Sequence, residues 1–402
     1  MAKLTKELTW IYHYYFQGLS CPTPLYKSWQ QFSSKKSIHF GNIQNKSRYF
    51  AYAITRAIPL VNFIQVWKVI IEVAWGSKGQ NLPWLKILGM VLWLLALFLL
   101  VFCDTVILSL DFTRTFWRSV DTCDRIWEKA RANLTEPVLT SLQSRKNFKV
   151  WRLFLHGFMF DFLAILNYSW VYAVNGEEDP TLLYSTIPWG NSSTLIRSVV
   201  YWLISMTSFI TLSMGWSFYI TFPGILALHL EYSMRTLATL VQHGPFGNYQ
   251  LDSIMKDYKQ LQFCIKEVNR SRMGRLLLPF YIFLGIQQTC QCYFGFQLIK
   301  SGAGWDDYQV YVIDVFLSTL RVFHEWYAIS AMDPATNTFS QQVVIHWKKC
   351  QEGRKYRKVT SATIRSLMPA LIVVEPYICR RNFALSGLSV YFDYIVCAAL
   401  WP

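Results

Sequence analysis

Acidic residues are the scarce class in this chain: 24 Asp and Glu face 39 Lys and Arg, for a formal charge of +15 over 402 residues. Catalytic signatures are missing as well. There is no Gly-x-Ser-x-Gly elbow, His-Glu-x-x-His pair, phosphate-binding loop or dinucleotide fingerprint, which excludes the sites those motifs build. Nine cysteines occur without a Cys-x-x-Cys pair or a Cys/His cluster, and none falls in a segment expected outside the cell. Neither zinc nor a disulfide scaffold is expected, and no cofactor is implied. Residues 1–48 hold seven Lys/Arg and one acid, Glu7, and lack the apolar core of a signal peptide, so they are expected to stay cytoplasmic.

What the chain has is apolar length. It is 53% hydrophobic and 17% aromatic, and the run ILGMVLWLLALFLLVF carries no charge. A nucleic-acid binder could share the net charge but not such runs, so no nucleic-acid partner is expected. Spans are expected at 49–75, 84–110, 153–174, 199–229, 276–300, 308–331 and 382–402, which makes an all-α, polytopic, seven-helix protein of the cell membrane. The stretches 111–152, 231–275 and 332–381 are basic, whereas the loop 175–198 holds three acids and one Arg. The Lys/Arg asymmetry therefore puts the N-terminus in the cytoplasm and the C-terminus outside. The acidic loop also carries the acceptor sequon Asn191-Ser192-Ser193 on the side where glycosylation occurs. Four regions follow: the segment 1–48, the helices of 49–331, a cytoplasmic loop with a half-helix over Ile364 to Tyr377 in 332–381, and a last helix in 382–402.

That last segment, NFALSGLSVYFDYIVCAALWP, has the length and the flanking Arg380-Arg381 pair of a spanning helix, yet Asp393 sits near its middle. A carboxylate facing lipid costs several kcal/mol, so it should face protein or a water-filled path. Helical spacing puts Asp393, Val396, Cys397 and Leu400 on one face, with Ser389 continuing the stripe. Several copies of such a helix would enclose a carboxylate ring and an apolar ring, devices for cation preference and for gating by dewetting. The alternative is a single Asp hydrogen-bonded inside a bundle with no pore.

The same residues carry a resemblance. Asp393-Tyr394, five apolar residues and Leu400-Trp401 occupy the frame of the Thr-Tyr, five hydrophobics, Gln-Phe pattern that closes the insect-type gustatory receptors. Tyr394, the apolar run and the final aromatic Trp401 agree; Asp393 and Leu400 replace the Thr and the Gln. Together with the inverted seven-span order, the chain is similar to the insect gustatory and odorant receptor superfamily. The resemblance implies a chemosensory, ligand-gated cation channel in which four subunits place their last helices around a pore and meet through cytoplasmic helices. It implies a homotetramer, or an assembly with a related receptor subunit, surrounded by membrane lipids. A G-protein-coupled receptor is the lesser alternative, because its outward N-terminus would export the basic segment 1–48.

On that reading a small-molecule ligand binds among the outer halves of spans three to six. Candidates are Asn167, Trp170, Tyr201, Gln288, Gln291, Tyr311 and Asp314, with Gln287 sharing the arc of Gln288 and Gln291. Amides and aromatic faces suit a polar, sugar-like tastant; the alternative use of the same residues is hydrogen bonding between helices. Arg321 and Glu325 are spaced to pair on span six. The second function class is a membrane-embedded lipid-modifying enzyme built on His156, His229 or His324, though His324 and Glu325 are adjacent and point apart on a helix. The expectation is that the protein is not an enzyme.

Overall fold

The computed structural model describes residues 110–175, 221, 223–243, 248–349, 371–374, 377, 378, 380 and 382–400, with single helical positions between 50 and 98. The segment 1–48, most of the expected spans at 49–75, 84–110 and 199–229, and Asn191, Tyr201 and Trp401 lie outside the described residues. Among the described residues eight helices carry the fold. They are α1 (Leu110–Asn133), α2 (Glu136–Asn175), α3 (223–243), α4 (Asn248–Arg270), α5 (Arg272–Lys300), α6 (Trp305–Ser330), α7 (Met332–Lys349) and α8 (Phe383–Leu400).

Of the basic stretches expected as cytoplasmic, the described parts of 111–152 and 231–275 and residues 332–349 are helical apart from short turns, and they supply most of the described core. On α1, Phe116, Val120, Cys123, Trp127 and Ala130 recur at helical spacing and are buried, whereas Asp121, Arg125 and Glu128 are exposed. The matching stripe on α4 is Ile254, Tyr258, Leu261, Ile265 and Val268. The two stripes close on each other, and ions seal the rim: Arg118 pairs with Glu267, and Lys129 Nζ reaches Asp257 at 2.5 Å. Burial pushes the Cys123 thiol up to about 12 and raises that of Cys264, so both stay protonated near neutral pH.

Helix α3 is covered on all sides, and residues 223–234 are all buried. One of them is Glu231, whose charge is compensated by Arg235 at 2.6 Å and Lys149 of α2 at 3.6 Å. Helix α7 closes the same core. Its Phe339 stacks on Tyr258 of α4 with ring centroids 4.6 Å apart, and both side chains are fully buried.

Helices α5 and α6 match the expected fifth and sixth spans to within a few residues. The turn between them is set by Gly302, whose φ of +75° only glycine adopts without strain. Its N–H donates to Ile299 O, and Ala303 N–H donates to Leu298 O, which satisfies the last carbonyls of α5. The helices run antiparallel; α6 also packs on α2, and α8 lies across α5 and α6.

Among the described residues no helix is long and apolar enough to cross a membrane. The reason lies in the sequence: α5 carries Arg275 and four glutamines, α6 carries Asp314, Arg321 and Glu325, and α8 is 18 residues long with Asp393 inside it.

One expectation is corrected. The half-helix over 364–377 does not reach its expected end, because Val373–Val374 and Tyr377–Ile378 pair as two antiparallel two-residue strands, β1 and β2. Pro376 has no N–H to give a helix and biases Glu375 toward extended backbone, and the paired valines favour strand. The Asn269 side chain fixes this hairpin to the end of α4, donating to Leu371 O at 3.0 Å and accepting from Val373 N–H at 3.1 Å.

Phe339→Ala removes a fully buried ring from the contact of α7 with α4, and we expect a loss of about 3–5 kcal/mol in unfolding free energy. Thermal unfolding of the purified variant checks it; an unchanged midpoint would show that α7 is not docked there.

Candidate functional site

Helix α8 is covered on one side only. Among the described side chains, Phe383, Ala384, Gly387, Leu388, Tyr391 and Ile395 are its buried or half-buried positions. Two contacts fix it to α6. Near its start, Gly387 meets the indole of Trp326 so closely that a Cβ there would lie 2.4 Å from the ring. The indole is held from two further sides, with Tyr281 of α5 at 5.7 Å and Phe383 at 5.8 Å, both near edge-on. One helical turn past Gly387, the hydroxyls of Tyr391 and Thr319 lie 3.0 Å apart. The single Thr319 proton is taken by Val315 O at 2.6 Å, so the phenol is the donor to Thr319.

The opposite face of α8 is uncovered. Ser389, Asp393, Val396, Cys397 and Leu400 are all exposed there, Leu400 at 78%, and Tyr394 beside them is exposed at 59%. The expected stripe is thus one continuous surface, with Asp393 free of any described ion pair.

Behind α8 lies a buried polar face. Asp314, Ser318, Arg321 and Glu325 recur at helical spacing along α6 and are all buried. At its upper end, Gln291 Nε2 of α5 donates to Asp314 Oδ2 at 2.7 Å. Tyr311 packs edge-on against Phe294 at 4.5 Å. Gln287 and Gln288 are buried next to Gln291, and Gln287 Oε1, Gln288 Nε2 and Gln291 Oε1 have no hydrogen-bond partner among the described residues. The structure therefore brings Gln288, Gln291, Tyr311 and Asp314 to one helix interface. Asn167 and Trp170 fall on α2, with side chains outside the description, so their part in this cluster stays an expectation.

The pairing of Arg321 with Glu325 does not form. Side chains on a helix lean toward its N-terminus, so the Arg321 guanidinium reaches away from Glu325 and donates to Gly157 O of α2 at 2.5 Å. Glu325 is fully buried, its oxygens unpaired among the described residues, with the Tyr281 hydroxyl and Arg321 as the polar groups acting on it.

The three histidines are placed as follows. His229 is buried with Nδ1 2.8 Å from Ile225 O. His156 and His324 meet with ring centroids 4.5 Å apart, and His324 contacts Leu320 O and Arg152 rather than a carboxylate. No group of three His, Cys, Asp or Glu among the described residues could hold a metal ion.

No family model matches the chain, and no curated protein does. Solved structures do. The insect olfactory receptor OR5 from Machilis hrabei superposes with a TM-score of 0.65 at 11% identity, over 90% of this chain and 92% of that one. The same receptor in complex with eugenol gives a TM-score of 0.65 at 11% identity over 99% of both chains. The chain has the fold of an insect olfactory receptor. Within that receptor fold, the described helices α1 to α8 account for the basic core, the buried polar face and the one-sided last helix. Two features of this olfactory-receptor-like chain escape sequence reasoning. Gly387 is one of several glycines with no local signal, and nothing local marks Asn269, whose partners lie about 100 residues away.

Gly387→Ala forces a methyl group against Trp326 and is expected to cost about 1–3 kcal/mol, as overpacking does. Adding Trp326→Leu should recover part of the loss in thermal unfolding. If the glycine variant melts like the parent protein, the close approach of α8 to α6 is wrong.

Proposed function

We propose that the protein is a chemosensory receptor of the cell membrane: a ligand-gated, non-selective cation channel, homotetrameric or joined by a related subunit, with α8 lining a central pore. The observation that carries this reading is the division of α8 into a face gripped by α5 and α6 and an uncovered face bearing Asp393, in a chain with the insect olfactory receptor fold. Four copies of that face around an axis would set Asp393 as a ring of carboxylates and Val396 and Leu400 as apolar constrictions. The N-terminus is placed in the cytoplasm and the C-terminus outside, which keeps the basic helices inside and makes Asn191 available for glycosylation.

The ligand in this reading is a small polar molecule. The Machilis receptor holds eugenol, a small molecule, which supports a ligand of that size class. The unpartnered amide atoms of Gln287, Gln288 and Gln291, beside Tyr311 and Asp314, support a polar contact surface, extended by Asn167, Trp170 and Tyr201. Because Asp314 and Gln291 already satisfy each other, such a ligand would use the amide atoms that remain unpartnered.

The experiment is current through the purified full-length protein in planar bilayers. A cationic thiol reagent should block the current through Cys397 and spare Cys397→Ser, because Cys397 is the exposed thiol among the described cysteines, Cys123 and Cys264 being buried and Cys290 and Cys292 half-buried. Asp393→Asn should lower cation conductance by up to about tenfold at low salt and less at high salt, as a charged ring that concentrates ions predicts. Current indifferent to both changes would remove α8 from the pore.

A further inference from the structure

We propose that Arg152, His156 and His324 form a binding site for the phosphomonoester headgroup of an anionic membrane lipid. The site stands where α2 changes character. From Glu136 to Arg152 the helix carries Arg145, Lys146, Lys149 and Arg152; from Leu153 to its end the sole full charge is Asp161. Just past Arg152 the exposed side chains are Leu155, Phe158, Met159 and Phe162, and Tyr327 of the neighbouring α6 is exposed at 58%. A cation at the foot of an exposed apolar belt is placed as a headgroup contact is placed in a bilayer.

Arg152 has no anion paired with it among the described residues. Other cations of the core have one: Arg118 pairs with Glu267, Lys129 with Asp257, and both Lys149 and Arg235 with Glu231. Arg152 has no carboxylate among the described residues; its Nη2 lies 3.2 Å from His324 Nε2. His324 Nδ1 faces Leu320 O at 2.7 Å, and a carbonyl can only accept, so that nitrogen carries the proton. Nε2 is therefore the acceptor and Arg152 the donor, a cation resting on a neutral ring. The His156 ring lies against His324 from the same helix as Arg152. A phosphate oxygen can take the remaining N–H groups of the exposed guanidinium, with the two imidazoles beside it as further polar contacts for the same anion. Glu325, the nearest acid in sequence, is fully buried, so it does not compete at the surface.

The proposal rests on the membrane placement above and not on conduction. The test uses the full-length protein in phosphatidylcholine nanodiscs doped with a phosphatidylinositol monophosphate, with retained lipid counted by native mass spectrometry. Wild type should retain the doped lipid, and Arg152→Gln and His324→Gln should each weaken retention about tenfold, the scale of a lost charge-assisted hydrogen bond. Arg152→Lys should fall between, which separates headgroup loss from misfolding. Arg131→Gln, the same charge change at the exposed end of α1, should have no effect. Equal loss in Arg131→Gln would mean diffuse attraction and overturn the site. Displacement by inorganic phosphate as effectively as by the lipid would overturn the assignment to a lipid. Failure to enter the nanodisc overturns this proposal together with the membrane placement; entry without retention overturns the lipid site alone.

Discussion

A helix gripped along one side is the constraint on which the rest of this structure depends. Trp326 fills the space that a side chain on residue 387 would need, and Tyr391 reaches Thr319 one turn further on, so the rotation of α8 about its own axis is fixed at two levels. Fixing the rotation decides which residues are left uncovered. Asp393 is outside not because it is polar but because the small and aromatic residues of the other face have taken the contact. In a bundle with no such wedge, a helix of this composition would turn its carboxylate inward and its leucines outward.

The polar face of α6 shows how the chain accommodates charge in its interior. Burying an ion without a partner costs several kcal/mol, and the structure meets that cost differently at each step. Asp314 takes an amide N–H, Arg321 takes a backbone carbonyl, and Ser318 sits between them. These partners come from α5 and α2, so the polar groups tie α6 to two neighbours along the same line that backs α8. The basic half of the molecule relies on a different arrangement. There, apolar stripes at helical spacing do the packing and ion pairs occupy the rim, where water lowers both their cost and their worth.

Much of this was legible in the residues. The apolar runs located α5 and α6 to within a few residues, and Gly302 closes the turn between them because it supplies a backbone angle other residues avoid. Helical geometry alone put Gln287, Gln288 and Gln291 in one arc and the stripe of α8 on one face. What was not legible has a common cause: it depends on residues distant in the chain. Spacing pairs Arg321 with Glu325, but the lean of the side chain and a carbonyl 164 positions earlier decide otherwise. The hairpin before α8 follows from local chemistry at Pro376, yet the apolar run around it reads as helix until Asn269 is seen holding its backbone. Nothing near Gly387 announces the indole that requires it.

The bidentate grip of Asn269 has a mechanical consequence. One short, stiff amide joins the corner between α4 and α5 to β1, and the partner strand β2 leads on toward α8, which starts at Phe383. Asn269 thus ties the end of the basic helix α4 to the hairpin that precedes the final helix, a second link beside the packing of α8 on α5.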